Sequence, residues 1–183
     1  MDCVLDVNEI EALPCKLQAI VDDLGGLDLL FISAGIGFIN PEFDFAQEQP
    51  VIRTNVEVFT AMMDWGYGYF KSKGSGQIAA ITSVAGLSGV SESAYSASKA
   101  YQITYMDDMR RVAKRDCPNL ALTEIRPGFV DTAMAKGETF WMIQPDEAAK
   151  LACEAIFKKK RLQYVSSRWY IVGTLMRFFS LAK

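Results

Sequence analysis

The sequence predicts an α/β fold, a parallel sheet with helices packed on both of its faces. Short apolar runs alternate with stretches of helical spacing along the chain, which is typical of strand–helix–strand units. Half of the 183 residues are hydrophobic and 22% are charged, as in a folded globular chain. This length and composition indicate a single domain over residues 1–183 with one core.

The N-terminal part is predicted to form a strand followed by a helix. The strand is the short apolar run Cys3–Val7, and the helix is Asn8–Leu24, whose apolar residues recur at helical spacing. Pro14 lies near the first turn of that helix, and Gly25-Gly26 predicts its end. The next run, Leu27–Ile32, is too apolar to alternate, which predicts a central parallel strand covered on both faces.

The remaining elements continue the alternation. Pro50 predicts the start of a long helix that runs to about Lys73, because a missing amide costs nothing in a first helical turn. The later predicted elements are a strand over Gln77–Thr82, a helix over Ser93–Arg115, a strand over Leu120–Ile125, a helix from Pro145 to about Lys159 and a short strand over Gln163–Val165.

The C-terminal segment Trp169–Leu181 is strongly apolar, with Arg177 as its one charge. It is too short to cross a bilayer, which needs about 20 apolar residues. We predict that it packs on the sheet or on a partner subunit. A helix lying at a membrane surface is the alternative, because aromatic residues with basic neighbours suit that boundary.

Composition excludes several classes of function. A net charge of −3 provides no basic surface for nucleic acid. The chain contains no histidine, which excludes Ser-His-Asp hydrolysis and histidine-containing zinc sites. Cys3, Cys15, Cys117 and Cys153 are scattered without a CxxC pair, so neither a metal site nor a disulfide is predicted. Reduced cysteines and the absence of a recognisable secretion signal predict a cytoplasmic protein.

The most informative motif is the YSASK segment that begins at Tyr95. Tyr95 and Lys99 are four residues apart and share one face of the predicted helix. A neighbouring ammonium favours the phenolate, and lowering the phenol pKa by roughly three units corresponds to about 4 kcal/mol. Such a phenol can exchange a proton near neutral pH. Ser83, which follows a predicted strand, could polarise the same substrate oxygen, although a YxxxK pattern alone is more often structural.

Several small or polar residues follow predicted strands. They are Asp6, the turn Ser33-Ala34-Gly35, Ser83 and Pro127-Gly128. Each one alone is a common way to turn the chain. Because ligands of parallel α/β sheets bind outside the carboxyl ends of the strands, their shared placement predicts a single site.

In this setting the chain resembles the short-chain dehydrogenase/reductase family over almost all of its length. The resemblance rests on Ser83, Tyr95 and Lys99, on the segment VIRTNVEVF around Asn55, and on RPGFVDT over 126–132. It implies a Rossmann-like, doubly wound sheet that binds NAD or NADP. It also implies an oxidoreductase that interconverts a small-molecule alcohol and a carbonyl, and a homo-oligomer, commonly a dimer.

The resemblance assigns roles to individual residues. Tyr95 would be the general acid/base, Lys99 would lower its pKa and bind the nicotinamide ribose, Ser83 would steady the carbonyl, and Asn55 would hold a water of the proton relay. The implied cofactor-binding residues, besides Tyr95 and Lys99, are Asp6, Ser33, Ala34, Gly35, Pro127, Gly128, Val130 and Thr132. Asp6 would meet the adenine edge. Ser33 departs from the family's usual asparagine and can make only some of its bonds.

One part of the family pattern is missing from the sequence. No glycine-rich TGxxxGxG turn precedes Asp6, so the pattern begins at its third strand, on the order of 60 residues late. We therefore expect weak or no dinucleotide binding by this N-terminally truncated chain. We also expect the strand Leu27–Ile32 to lose one partner along its edge, which invites pairing with another chain.

Two other functional classes are weighed against the dehydrogenase. The missing glycine-rich turn and the apolar C-terminus would also suit a non-catalytic module that dimerises or sits on a membrane surface. Sugar-nucleotide epimerases and dehydratases share YxxxK, but they usually carry a sizeable C-terminal substrate domain. Too little chain follows Thr132 for such a domain.

Overall fold

The described part of the chain contains a sheet of four parallel strands that follow one another in chain order. The computed structural model describes residues 2–89, 93–132 and 141–173. The strands are β1 (Leu29–Ile32), β2 (Gly76–Ile81), β3 (Leu120–Pro127) and β4 (Leu162–Val165), paired in the order β1-β2-β3-β4. The predicted parallel α/β sheet is confirmed, and the carboxyl ends of its strands share one edge.

Helices cover both faces of this sheet, as predicted. They are α1 (Leu13–Leu24), α2 (Phe45–Ile52), α3 (Phe59–Lys73), α4 (Ala94–Asp116) and α5 (Pro145–Phe157). The π-helical segment Arg53–Val58 joins α2 to α3 in one continuous helical run. A short 3₁₀ turn, Val84–Leu87, connects β2 to the start of α4.

Alternate residues of the strands build two cores. On one face, Ile78 of β2 packs with buried residues of α1, α3 and α4, among them Leu13, Phe70 and Met106. On the other face, Ile125 of β3 packs with Ala152 of α5 and with Val165 of β4. Because successive strand residues point to opposite faces, this division follows directly from the continuous apolar runs of the sequence.

The strand predicted to be central, Leu27–Ile32, lies instead at the edge of the described sheet. Leu30 and Ile32 are buried, whereas Leu29 and Phe31 are 36% and 41% exposed. The prediction that both faces are covered was therefore wrong. The expectation that this strand has a partner along one edge only agrees with its pairing to β2 in the described chain.

The prediction of an N-terminal strand over Cys3–Val7 is also wrong. These residues form no ladder in the described structure, and strand geometry requires hydrogen bonds to a neighbouring strand. Leu5 and Val7 pack against the main core, while Val4 is fully exposed. The apolar run therefore covers the core without joining the sheet.

Two predicted helix starts are wrong. Helix α1 begins at Leu13 and not at Asn8, because Pro14 fits only the first turn. The long helical run begins at Phe45 and not at Pro50, since Asp44 caps it by accepting a hydrogen bond from the Ala46 N–H at 3.0 Å. The later helices and strands lie within two residues of their predicted bounds.

Only the first part of the C-terminal segment lies within the described residues. Residues 168–173 are helical, and Trp169 packs with Val84 and Tyr164 in a third apolar cluster. This contact supports packing on the body of the protein, while residues 174–183 lie outside the described structure. In the described ranges, no helix is both long and apolar enough to cross a membrane.

The Asp44 cap supplies a test of the helix start. We expect Asp44→Ala to lower the free energy of unfolding by about 1 kcal/mol, because the Ala46 N–H in the first turn of α2 loses its acceptor. Asp44→Asn keeps an acceptor oxygen and should retain most of that stability. Urea unfolding monitored by circular dichroism measures both, and equal stability of the alanine variant and the wild type would contradict this start.

Candidate active site

The first turn of α4 places Tyr95 at the carboxyl edge of the sheet. The Ser93 side chain caps this helix by accepting a hydrogen bond from the Tyr95 N–H at 3.2 Å. The buried carboxylate of Glu48, which projects from α2, accepts another from the Ala94 N–H. A negative charge at a helix N-terminus is favourable. The turn that carries Tyr95 is therefore fixed from two directions.

Tyr95, Lys99 and Ser83 come together at the end of β2. Lys99 lies one turn after Tyr95, with its Nζ 5.8 Å from the centroid of the Tyr95 ring. Ser83 lies two residues beyond the end of β2 and is hydrogen bonded to the Tyr95 side chain. Its Oγ also accepts a hydrogen bond from the Ala85 N–H at 3.1 Å. The sequence-predicted trio thus forms a contiguous group.

The Lys99 ammonium is buried and held by two acceptors. Its Nζ donates to the carbonyl oxygen of Ile81 at 3.1 Å and to Oε1 of Gln102 at 2.9 Å. The residue is 4% exposed, and this burial lowers the pKa of Lys99 to about 8. The side chain therefore remains largely protonated at pH 7.

Asn55 lies in the π-helical segment and is fully buried, which rules out solvent exposure, the alternative for a mid-helix asparagine. Its Oδ1 accepts from the Ile36 N–H at 2.9 Å, and its Nδ2 donates to the Ile36 carbonyl at 2.8 Å and to the Ser98 hydroxyl at 3.0 Å. Asn55 thus ties the loop after β1 to α4. Its main-chain carbonyl accepts a hydrogen bond from Nε2 of Gln102 at 2.9 Å.

The loop after β1 passes directly over the site. A Cβ built on Gly35 would lie 3.4 Å from Asn55 Oδ1 and 3.5 Å from Lys99 Nζ. A Cβ on Gly37 would lie 2.3 Å from the Tyr95 ring, a distance that real Cβ atoms do not show. Glycine at position 37 therefore allows the loop and the tyrosine to touch.

An open cavity of about 520 Å³ adjoins the site on the side of β1. Its lining includes Ala34 and Gly35, whose role in cofactor binding stays a prediction, together with Asn8 and Arg53. Tyr95 and Ser83 are not part of this lining, and Gly35 is the lining residue that lies closest to Lys99. Its polar residues come from the N-terminal turn, from α2 and from the π-helical segment.

The other two predicted residues of this region lie beside that cavity and not in its lining. Ser33 is exposed directly after β1. The Asp6 carboxylate accepts hydrogen bonds from the Asn8 N–H and side chain, which lowers the pKa of Asp6. Asp6 thereby shapes the turn that places Asn8 at the cavity, and its contact with adenine stays a prediction.

The predicted residues after β3 form a separate group next to β4. The Gly128 N–H donates to the Val165 carbonyl at 3.0 Å, and the Trp169 indole occupies the space in which a Gly128 Cβ would lie. Val130 pairs with Ile143 in an isolated bridge. Pro127 ends β3, and Thr132 is exposed near the Val130 carbonyl.

The expected lowering of the Tyr95 pKa is not found. Burial raises the pKa of Tyr95, and the hydrogen bond with Ser83 opposes part of that rise. Desolvation disfavours a phenolate, and both described hydrogen bonds of the Lys99 ammonium go to Ile81 and Gln102. Tyr95 is therefore a neutral phenol near pH 7, which suits it to donate a proton.

The profile of the short chain dehydrogenase family matches residues 2–142. The chain belongs to the short chain dehydrogenase family. The match spans the sheet edge, the Asn55 segment, Ser83, Tyr95 and Lys99, so the family resemblance read from these motifs is confirmed.

Individual relatives of this family protein extend the comparison. An uncharacterised oxidoreductase of Mycobacterium tuberculosis is 29% identical over 149 residues, which cover 79% of this chain and 58% of that protein. The 3-oxoacyl-[acyl-carrier-protein] reductase FabG of Vibrio cholerae is 30% identical over 72% of this chain and 54% of the reductase. This chain thus spans little more than half the length of these curated relatives.

A solved structure confirms the fold. A short chain dehydrogenase from Burkholderia cenocepacia, crystallised in complex with NADP, superposes with a TM-score of 0.79 at 20% identity. The superposition covers 93% of this chain and 70% of that one. The Rossmann-like arrangement is therefore shared.

Sequence reasoning missed three residues of the site. Gln102 follows Lys99 by three positions, and this spacing, which places the two side chains on one helix face, was the available signal. Gly37 follows the Ser33-Ala34-Gly35 turn by two positions and is not part of that motif. The cap from Glu48 to Ala94 joins residues 46 positions apart, and no local pattern announces such a contact.

The pKa of Lys99 supplies a test through stability. Its folded value of about 8 lies below the ordinary 10.5, so the unfolded chain binds the extra proton between these pH values. Stability should therefore rise with pH across this window, by about 3 kcal/mol from Lys99 alone. Urea unfolding from pH 7 to 10.5 should show this rise in the difference between wild type and Lys99→Met. A difference that stays flat with pH would contradict a buried, charged Lys99.

Proposed function

We propose that the protein is a nicotinamide-dependent oxidoreductase that interconverts a small-molecule alcohol and a carbonyl. The family assignment and the names of the relatives, an oxidoreductase and a 3-oxoacyl-[acyl-carrier-protein] reductase, support this class. The observation that carries the proposal is the grouping of Ser83, Tyr95 and Lys99 at the carboxyl end of β2. Ligands of parallel sheets bind at this edge.

The described residues fit the nicotinamide side of NAD or NADP. The close approach of Gly35 to Lys99 leaves backbone facing the ammonium with no side chain between them. Lys99 would bind the ribose hydroxyls, and Gly35 with Ala34 would line the passage toward the cavity at Asn8 and Arg53. Pro127, Gly128, Val130 and Thr132 would border the nicotinamide, with Asp6 and Ser33 toward the adenosine end. When bound, the nicotinamide exchanges a hydride with the substrate carbon.

The chain's own residues supply the proton chemistry. In carbonyl reduction, the neutral Tyr95 phenol donates its proton to the substrate oxygen as the carbon receives the hydride. Ser83 orients the same oxygen and stabilises the phenolate that remains. The Lys99 ammonium, 5.8 Å from the ring centroid, favours that phenolate electrostatically. Alcohol oxidation reverses these steps, with Tyr95 as the base.

A second candidate is the non-catalytic module, for which the exposed Leu29 and Phe31 on the edge strand β1 provide a specific observation. Such an apolar strand edge is a surface that pairs with another chain.

The cytoplasmic location and the homo-oligomer stay predictions, supported by composition and by the family resemblance.

Replacing Tyr95 with phenylalanine tests the proposal. We expect Tyr95→Phe to lower the rate of carbonyl reduction by about 10²–10⁴-fold, because the ring packing remains but the proton donor is lost. Since weak cofactor binding is expected, NADH and NADPH are supplied at millimolar concentration with a panel of ketones, and cofactor oxidation is followed by absorbance.

Tyr101 provides the matched control. It lies on the same helix, and its exposed hydroxyl is hydrogen bonded to Thr60 at 2.8 Å, away from Lys99. Tyr101→Phe should keep wild-type activity. Equal rates for wild type and Tyr95→Phe would contradict the catalytic role, and a wild-type chain with no activity toward any ketone would favour the non-catalytic module.

A further inference from the structure

Gln102 is a fully buried polar residue for which the family motifs give no role. It follows Lys99 by three residues and Tyr95 by seven, so the three side chains share one face of α4. Its exposure is 0%. A buried amide is stable only when its donor and acceptor are both satisfied, which makes its partners informative.

Both ends of the Gln102 amide are bonded to the site. Oε1 accepts from Lys99 Nζ at 2.9 Å, and Nε2 donates to the main-chain carbonyl of Asn55 at 2.9 Å. An ammonium can only donate and a carbonyl can only accept. These two partners therefore fix the orientation of the amide, and the amide in turn bridges α4 to the π-helical segment.

We propose that Gln102 is a positioning residue for Lys99, and that its amide takes the place between the ammonium and Asn55 that the resemblance gives to a relay water. A water molecule can accept a proton and pass another on, whereas an amide must first change its tautomer. The chain of hydrogen bonds from Lys99 through Gln102 to Asn55 therefore holds Lys99 in position and does not transfer protons. The catalytic consequence of this inference rests on the proposed function.

The groups around the ammonium define what Gln102 contributes. The Ile81 carbonyl faces it from β2, the Gly35 loop from the end of β1, and Asn55 from the π-helical segment. Tyr95 is the titratable side chain that the structure places beside it. The Gln102 oxygen is thus a neutral acceptor that stabilises the protonated form of Lys99, and its removal should make deprotonation easier.

An NMR titration of the full chain measures this contribution. Lysine labelled with ¹³C at Cε reports the protonation of each ammonium, and the Lys99→Met spectrum assigns the Lys99 signal. We expect a midpoint of about 8 in the wild type and a midpoint lower by about one pH unit in Gln102→Met. Identical midpoints in wild type and Gln102→Met would overturn the proposal.

A matched control separates positioning from general damage to the core. Gln77 is also buried, and its amide donates to Thr123 Oγ1 at 2.9 Å and to the Ile156 carbonyl at 3.0 Å, away from Lys99. Gln77→Met removes a buried amide in the same way and should leave the Lys99 midpoint unchanged. A shift equal to that of Gln102→Met would show a global effect and would also overturn the proposal.

Gln102→Glu keeps the inference testable if Gln102→Met does not fold. A carboxylate in this position should raise the Lys99 midpoint above the wild-type value, and an unchanged midpoint would count against the contact. The titration requires no cofactor. A shifted midpoint in an inactive chain therefore contradicts the proposed function alone, whereas an unshifted midpoint in an active chain contradicts the role of Gln102 alone.

Discussion

A buried ammonium is the constraint on which the geometry of this site depends. An isolated charge in a protein interior is strongly unfavourable unless hydrogen bonds compensate it. Lys99 obtains its acceptors from the last residue of β2 and from its own helix. The positions of β2 and α4 are thereby coupled at the edge of the sheet where Tyr95 lies, so the Tyr95 phenol and the cation are held together.

The continuous helical run from Phe45 to Lys73 organises the parts around this charge. Glu48 caps the N-terminus of α4, and Asn55 fastens the loop after β1 through the Ile36 backbone. Asn55 lies in the π-helical segment of this run, and such segments occur frequently at functional sites. One helical run therefore positions α4, the loop after β1 and the Asn55 carbonyl, which accepts a hydrogen bond from Gln102.

The sequence predicted the parts of the fold that depend on local pattern. Buried parallel strands read as apolar runs, and the shared face of Tyr95 and Lys99 follows from helical spacing. The edge position of β1 was not predictable from its apolar residues, because burial depends on which neighbours are present. Pro50 suggested a helix start that the Asp44 cap places five residues earlier, at Phe45. Gln102 escaped notice since its partner carbonyl is 47 residues away.

Saturation-transfer NMR with millimolar NADH and NADPH tests the central claim most directly, because the method detects weak binding. If the Lys99 ammonium faces the cofactor, saturation should pass from the wild-type protein to the nicotinamide ribose protons of at least one cofactor. The transfer should fall sharply in Lys99→Met, which lacks the ammonium that would meet the ribose. Absence of transfer from the wild type, or equal transfer in the two proteins, would contradict the account.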